Sequence, residues 1–208
     1  DVDCPHFRSC GGCAYRHISY EAEMELKKQK VIDAFTRLAH LEVKVNDIIT
    51  CKTERYRNKA QYPVGFDKEV IAGFYAQKSH RIINSSDCVL QPEEFAEIVE
   101  IVKNWMTEFG ISAYESDTGK GLIRHIYIRK AFVTGQIMVC LVINGDEIPK
   151  SQELIDDLLK IKGLKSVVLN KNIEKTNVIL GVECKTLWGE DYIEDVLCGV
   201  KIRLSPLS

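Results

Sequence analysis

Three cysteines lie within ten residues near the start of the chain, in the pattern Cys4-x5-Cys10-Gly11-Gly12-Cys13. The two glycines allow a tight turn, so that the flanking sulfur atoms can face one centre. Their amide groups can also approach a bound sulfide or other anion. Three thiolates in one short loop suit a soft metal centre, either zinc or an iron–sulfur cluster. The loop therefore predicts a metal site that needs one more ligand.

Cys88 is the best candidate for the fourth ligand, because it lies in a loop-like stretch just before a predicted helix. His6, His17 and Cys51 are its competitors. A structural zinc site usually shows two C-x2-C knuckles, whereas this chain has one, so the spacing favours a [4Fe–4S] cluster. The alternative is a disulfide pair with free thiols, which is uncommon in a cytoplasmic protein.

The remaining cysteines fall in strand-like segments. Free cysteine is among the residue types most often buried. We therefore interpret Cys140, Cys184 and Cys198 as small buried side chains without a chemical role.

A basic stretch precedes the first predicted hairpin. Residues 51–81 contain seven Lys or Arg against three Asp or Glu. Alternation with period two predicts that Arg55, Arg57, Lys59 and Gln61 share one face of a strand. A row of cations with tyrosines nearby can follow a phosphate backbone and stack a base. A solvated strand face without a ligand accounts for the pattern equally well.

The second predicted hairpin contains Arg124, His125 and Arg129. Alternation places Arg124 on an apolar face with Ile126 and Ile128, where it needs a carboxylate or a ligand anion as partner. For His125 a role as a hydrogen-bonded core residue is slightly favoured over catalysis.

The hydrophobic pattern predicts an α+β fold, with a largely antiparallel sheet and helices packed on one side. Residues 1–40 would form a small N-terminal subdomain that binds the iron–sulfur cluster, and residues 41–208 a central domain. The predicted helices are Ser19–Leu38, Pro92 to Gly110, and Ser151–Ile161. The first has the apolar face Met24, Ile32, Phe35 and Leu38. The third is capped by Ser151 and points Leu154, Ile155, Leu158 and Leu159 inward. The predicted strands are Val43–Ile49, Tyr56–Phe66, Glu69–Ala76, Leu122–Phe132, Gln136–Asn144, Lys165–Leu169, Asn177–Leu180, Lys185–Leu187, Asp191–Val196 and Val200–Leu204.

Composition narrows the function classes. The 208 residues are 45% hydrophobic and 28% charged, which is typical of a globular domain. No apolar run approaches the roughly 20 residues of a membrane-spanning helix. The opening sequence lacks the apolar core of a signal peptide, so we expect a cytoplasmic location. The formal charge of −2 excludes a uniformly basic nucleic-acid binder, but not a local basic patch.

The cysteine loop, followed by Ser19-Tyr20-Glu21, resembles the start of the cluster domain of SAM-dependent RNA (uracil-5-)-methyltransferases of the 23S ribosomal RNA type. Further blocks of that family are matched in order by residues 57–59, 124–129, 176–181 and 204–208. The resemblance implies a [4Fe–4S] cluster on Cys4, Cys10, Cys13 and Cys88. It also implies a ribosomal or other structured RNA as partner, contacted by Arg55, Arg57, Lys59, Arg124, His125 and Arg129.

In that family a cysteine thiolate adds to C6 of uracil, C5 takes the methyl group of S-adenosylmethionine, and a base removes the C5 proton. This chain resembles only the central domain. It has no glycine-rich strand–loop–helix motif for the SAM domain, and an N-terminal TRAM domain is also missing, so we expect no catalytic residue here, Cys198 included. It departs from the family in having Arg16 where Gln is common. A stand-alone RNA-binding module and a small zinc protein remain as alternatives.

Overall fold

The computed structural model describes residues 2–208. Its helices are α1 (Tyr20–Asp33), followed by a π-helical turn (Ala34–Leu38), α2 (Glu93–Glu108) and α3 (Ser151–Leu158). Its strands are β1 (Lys59–Asp67), β2 (Glu69–Tyr75), β3 (Ile82–Asn84), β4 (Ile123–Lys130), β5 (Ile137–Ile143), β6 (Leu164–Lys171), β7 (Glu183–Gly189), β8 (Ile193–Leu197) and β9 (Val200–Leu204). None of the described helices has the length and apolar character needed to cross a membrane.

Seven of these strands form one sheet in the order β3-β2-β1-β4-β5-β6-β7. All neighbours are antiparallel except β5 and β6, which α3 connects as a parallel pair. The two predicted hairpins lie side by side, because β1 pairs with β4. Strands β8 and β9 form a separate hairpin. The predicted α+β class and the mostly antiparallel sheet are confirmed.

Helices α2 and α3 cover one face of the sheet. Every side chain of the predicted apolar face of α2 is buried, as the helical spacing requires. The largest of them, Trp105, also donates from its indole N–H to the carbonyl of Lys150 at 2.9 Å. The set is Phe95, Ile98, Val99, Val102, Trp105 and Met106.

The other face of the sheet has a smaller apolar cluster. Tyr127, Met138, Cys140 and Val168 are buried there together with Ile193 of β8. The β8–β9 hairpin thus covers the side that the helices leave open, and Cys140 is the small buried residue that we predicted. Cys184 and Cys198, which we also expected to be buried, are exposed.

Two predicted strands are absent from the described residues. Residues 43–49 form no regular structure, because no strand edge pairs with them. Ile49 is 96% exposed. Residues 177–180 form a loop held by side-chain amides. Asn172 donates to the carbonyls of Val178 and Ile179 at 2.8 and 2.9 Å, which replaces the partner that a strand would need.

The predicted burial of α1 and the predicted cap and burial of α3 also need correction. Ser19 caps α1 by accepting from the N–H of Ala22, but no residue of α1 is buried. Of its predicted apolar face, Met24 and Ile32 are half-buried, and Phe35 and Leu38 lie exposed in the π-helical turn. At α3 the N-cap is Lys150 in a left-handed conformation, and Ser151 is the first helical residue. Leu159 lies just beyond the helix and is 45% exposed.

We predict that Gly73→Ala destabilises the protein by about 1–3 kcal/mol, as overpacking commonly does. A Cβ at Gly73 would overlap the carbonyl oxygen of Ile83 on the paired strand β3, and backbone cannot rotate away. Gly65→Ala is the matched control, because its Cβ would meet only the flexible end of Ile82 at 2.8 Å. Urea unfolding measures both variants, and equal losses would contradict the prediction.

Candidate cysteine pocket and nucleic-acid interface

The N-terminal cysteine loop is attached to the end of β2. The N–H of Gly11 donates to the carbonyl of Tyr75 at 3.0 Å, and Cys10 forms a β-bridge with Ala76. A Cβ at Gly11 would come within 3.2 Å of the backbone of Gln77, so this close approach favours glycine. The next amide, that of Gly12, donates to the Cys10 sulfur at 3.4 Å.

The loop that bears Cys88 is held by Arg55. One guanidinium nitrogen of Arg55 lies 2.8 Å from the carboxylate of Asp87, 3.1 Å from the carbonyl of Cys88 and 2.9 Å from the carbonyl of Gln91. The backbone N–H of Arg55 also donates to the carbonyl of Val89 at 2.9 Å. Charged donors make comparatively strong bonds, so this loop has a fixed position.

These two attachments bring the four predicted ligands together. Cys4, Cys10, Cys13 and Cys88 line one small pocket of about 30 Å³, and all four are free thiols. Of the competitors, His6 lines the same pocket and Cys51 lines a neighbouring one. Among residues 2–208, no three His, Cys, Asp or Glu side chains are arranged so that they could hold a metal ion as they stand.

The thiols and one guanidinium interact electrostatically. Burial raises the pKa of Cys13, the nearby Cys88 adds to the rise, and Arg57 opposes it. Burial likewise raises the pKa of Cys88, which the backbone N–H of Leu90 and then Arg57 oppose. Without a bound cation these two thiols therefore keep their protons at neutral pH.

Tyr62 is a further polar group close to Cys88. Its ring is fully buried and, within residues 2–208, its hydroxyl has no hydrogen-bond partner. Burial raises its pKa, and Cys88 adds to the rise, so the hydroxyl stays protonated and can donate. A buried donor without a partner costs about 1–3 kcal/mol, which makes this position unusual.

The predicted basic strand face is not formed. Strand β1 begins only at Lys59, and Arg55 has a left-handed backbone with φ of 52°, which breaks the alternation. Arg55 therefore faces the Cys88 loop, and Arg57 lines the cysteine pocket. Lys59 is exposed and lies opposite Arg129 in the β1–β4 register, so these two share a face. Gln61, also within β1, lies opposite Tyr127.

Arg124 lies at a register shift between Ile123 and His125, not in regular alternation with Ile126 and Ile128. No carboxylate among residues 2–208 forms an ion pair with its guanidinium. It donates to the backbone carbonyls of Asn172 and Glu174 at 2.7 and 2.8 Å. It also lies 4.3 Å from the ring centre of Tyr114 as a cation–π contact. Arg124 thus anchors the 172–174 loop.

Arg129 has a similar internal role, since it donates to the carbonyls of Ser205 and Ser208 at 3.0 and 3.1 Å. His125 and Arg124 both line an open groove of about 640 Å³. Burial and then the charge of Arg124 lower the pKa of His125 to about 4, so its ring is neutral at pH 7. Its Nδ1 has no partner among residues 2–208.

Sequence reasoning missed several residues of this region. No role was predicted for Asp87, Tyr15 or Tyr20. Tyr56 and Tyr62 were considered only as the tyrosines near the basic row, and Lys52 only as part of the basic stretch 51–81. Asp87 has a local signal, its position next to Cys88, whereas Tyr15 and Tyr20 meet residues 51–57 only in the folded structure.

Comparisons with known proteins identify similar sequences over nearly the whole chain. Proteins called uncharacterized RNA methyltransferases are 42% identical in Clostridium tetani, 41% in Caldanaerobacter subterraneus and 40% in Listeria monocytogenes. Each match covers 99% of this chain but only 45–46% of the relative. The chain therefore spans slightly less than half the length of these relatives. No family model matches it.

A solved structure shares the fold. The tRNA (uracil-54, C5)-methyltransferase of Pyrococcus abyssi, in complex with S-adenosyl-L-homocysteine, superposes with a TM-score of 0.75 over 98% of this chain and 46% of that protein. Its sequence identity is 24%, so this likeness concerns the architecture.

We predict that His125 makes the protein less stable in mild acid. Its folded-state pKa of about 4 lies below the ordinary value of 6.5, so folding favours the neutral ring. This stability is fully present above pH 6.5 and is lost as the pH falls to about 4, by up to about 3 kcal/mol. His125→Gln removes the titrating group and should flatten this part of the curve. Urea unfolding between pH 7 and pH 4.5 tests this, and identical pH dependence in both proteins would refute it.

Proposed function

We propose that this chain is the cluster-binding and RNA-binding part of an RNA methyltransferase that transfers the methyl group of S-adenosylmethionine to C5 of a uridine in 23S ribosomal RNA. The names of the relatives support RNA methylation, and the fold shared with a tRNA uracil-C5 methyltransferase agrees with a uridine substrate. The observation that carries the proposal is the convergence of the three N-terminal cysteines and the distant Cys88 on one pocket.

The cysteine pocket suits a [4Fe–4S] cluster in its chemistry. Four thiols are the usual ligands of such a cluster. The Gly12 amide already donates to a cysteine sulfur, and the buried Tyr62 hydroxyl offers an unused donor near Cys88. Because the pocket encloses only about 30 Å³, loading requires the thiol side chains to rotate away from its centre. The bound cluster would tie the N-terminal loop to the Cys88 loop.

RNA contact is proposed for the cations next to this pocket. Among residues 2–208 the Arg57 guanidinium donates only through one long bond of 3.5 Å to the carbonyl of Gly12, and Lys59 forms no ion pair. Arg55, Arg124 and Arg129 bind backbone carbonyls or a carboxylate through shorter bonds. We assign those three, with His125, to shaping the RNA-facing surface and to contacting RNA with their remaining N–H groups. Phosphate contacts of this kind weaken steeply with salt, because they release counterions.

We predict that protein prepared without oxygen and with iron binds about four irons and four sulfides per chain. Cys88→Ser should lose the cluster and its brown absorbance, because it removes one of four ligands. Cys198→Ser is the matched control, since Cys198 is an exposed thiol in the turn of the β8–β9 hairpin. Iron and acid-labile sulfide analysis gives the answer. If the analysis found one zinc per chain and no sulfide, the pocket would be a zinc site and the prediction of a cluster would be wrong.

We also predict that the 208 residues alone bind no S-adenosylmethionine. The one parallel strand pair of the described sheet is connected through α3, and residues 144–150, which lead from β5 into that helix, contain a single glycine and no glycine-rich phosphate or nucleotide loop. Isothermal titration calorimetry with S-adenosylmethionine measures this directly. A saturable isotherm would mean that this chain, and not a further domain, holds the methyl donor.

A further inference from the structure

A second, larger pocket adjoins the cysteine pocket. It encloses about 590 Å³ between the cysteine loop, α1 and residues 51–57. Gly12, Cys13, Arg57 and Leu90 line both pockets, so the two share a wall. Its volume lies in the range of small-molecule and nucleotide sites, which is about 300–1,000 Å³.

Three tyrosines line this second pocket. Lys30 donates to the hydroxyl of Tyr15, and the hydroxyl of Tyr20 accepts from the backbone N–H of Cys51 at 3.3 Å, so both are fixed. Tyr56 is 44% exposed. The backbone N–H groups of its two neighbours, Arg55 and Arg57, donate to the carbonyls of residues 89 and 90 and so fix its backbone. An exposed ring on a fixed backbone is the platform on which an unpaired base stacks.

The unneutralised charge of the pocket is positive. Its four cations exceed its three carboxylates by one. Arg16 pairs with both Asp3 and Glu54, and Lys27 pairs with Glu23. Lys52 and Arg57 also line the pocket, and neither forms an ion pair within the part of the chain that the structure describes. Two free cations beside an aromatic ring match a nucleotide, which presents a base and a phosphate.

We infer that this pocket binds one unpaired nucleotide of the RNA, with its base on Tyr56 and its phosphate toward Lys52 and Arg57. The inference rests on the proposed RNA contact. It adds that the contact lies in this pocket and that the bound part of the RNA is a single unpaired nucleotide. Because the pockets share a wall, the bound nucleotide covers the Cys13 side of the cysteine pocket.

The test measures fluorescence anisotropy of a labelled single-stranded oligouridylate with the 208-residue chain. Tyr56→Ala should weaken binding about 5- to 100-fold, the loss found when one stacking ring is removed, whereas Tyr56→Phe keeps the ring and should stay within about twofold. Lys52→Ala should weaken binding and reduce its salt dependence. Phe132→Ala is the matched control, because Phe132 is 48% exposed, close to the exposure of Tyr56, and lines neither this pocket nor the cysteine pocket nor the groove of His125.

Alkylation of the cysteines in cluster-free protein, in which Cys13 is a free thiol, followed by mass spectrometry, is the second readout. The oligonucleotide should slow the alkylation of Cys13 in the wild type and not in Tyr56→Ala. If the wild type does not bind the oligonucleotide, the proposed RNA contact fails and this inference fails with it. If the wild type binds but Tyr56→Ala binds equally, or if Phe132→Ala loses as much, the RNA contact stands and the pocket assignment is overturned.

Discussion

The bonds from Arg55 to the Cys88 loop determine where the fourth cysteine lies. β1 is the third of seven strands, so the chain that enters it has a fixed position. Arg55, four residues earlier, joins that entry to Asp87, Cys88 and Gln91. The N-terminal loop is fixed to β2, the neighbour of β1, through Gly11 and Cys10. Both halves of the cysteine pocket are therefore positioned by the same two strands.

The parts of the fold that the sequence predicted well are those with strong periodicity. α2 repeats its apolar residues every three or four positions, and each of them packs against the sheet. β5 is a continuous apolar run, and all seven of its residues are buried. The ligand candidates could also be picked out, because closely spaced cysteines that form no disulfide are commonly metal ligands. Their convergence on one pocket agrees with that choice.

The strand predictions that were wrong fall where side-chain contacts or an unusual backbone angle replace regular strand pairing. The left-handed backbone of Arg55 ends the alternation that put three cations on one face, and no local pattern signals it. The extra residue near Arg124 shifts the β4 register in the same way. At 177–180 the buried amides of Asn170 and Asn172 bind the backbone of the loop, so a β-like sequence forms no strand. Each error depends on a contact between residues distant in sequence or on one unusual dihedral angle.

The place of Arg57 in the wall between the two pockets links the thiols to the proposed nucleotide site. Its charge opposes part of the rise that burial causes in the pKa of Cys13 and Cys88, so it favours thiolates, the form that binds metal. A cluster with four thiolate ligands carries net negative charge and would attract this guanidinium more strongly than neutral thiols do. A phosphate in the second pocket would compete for the same cation. Metal occupancy and RNA binding would then be coupled through Arg57, with Lys52 as the phosphate contact that does not also face the thiols.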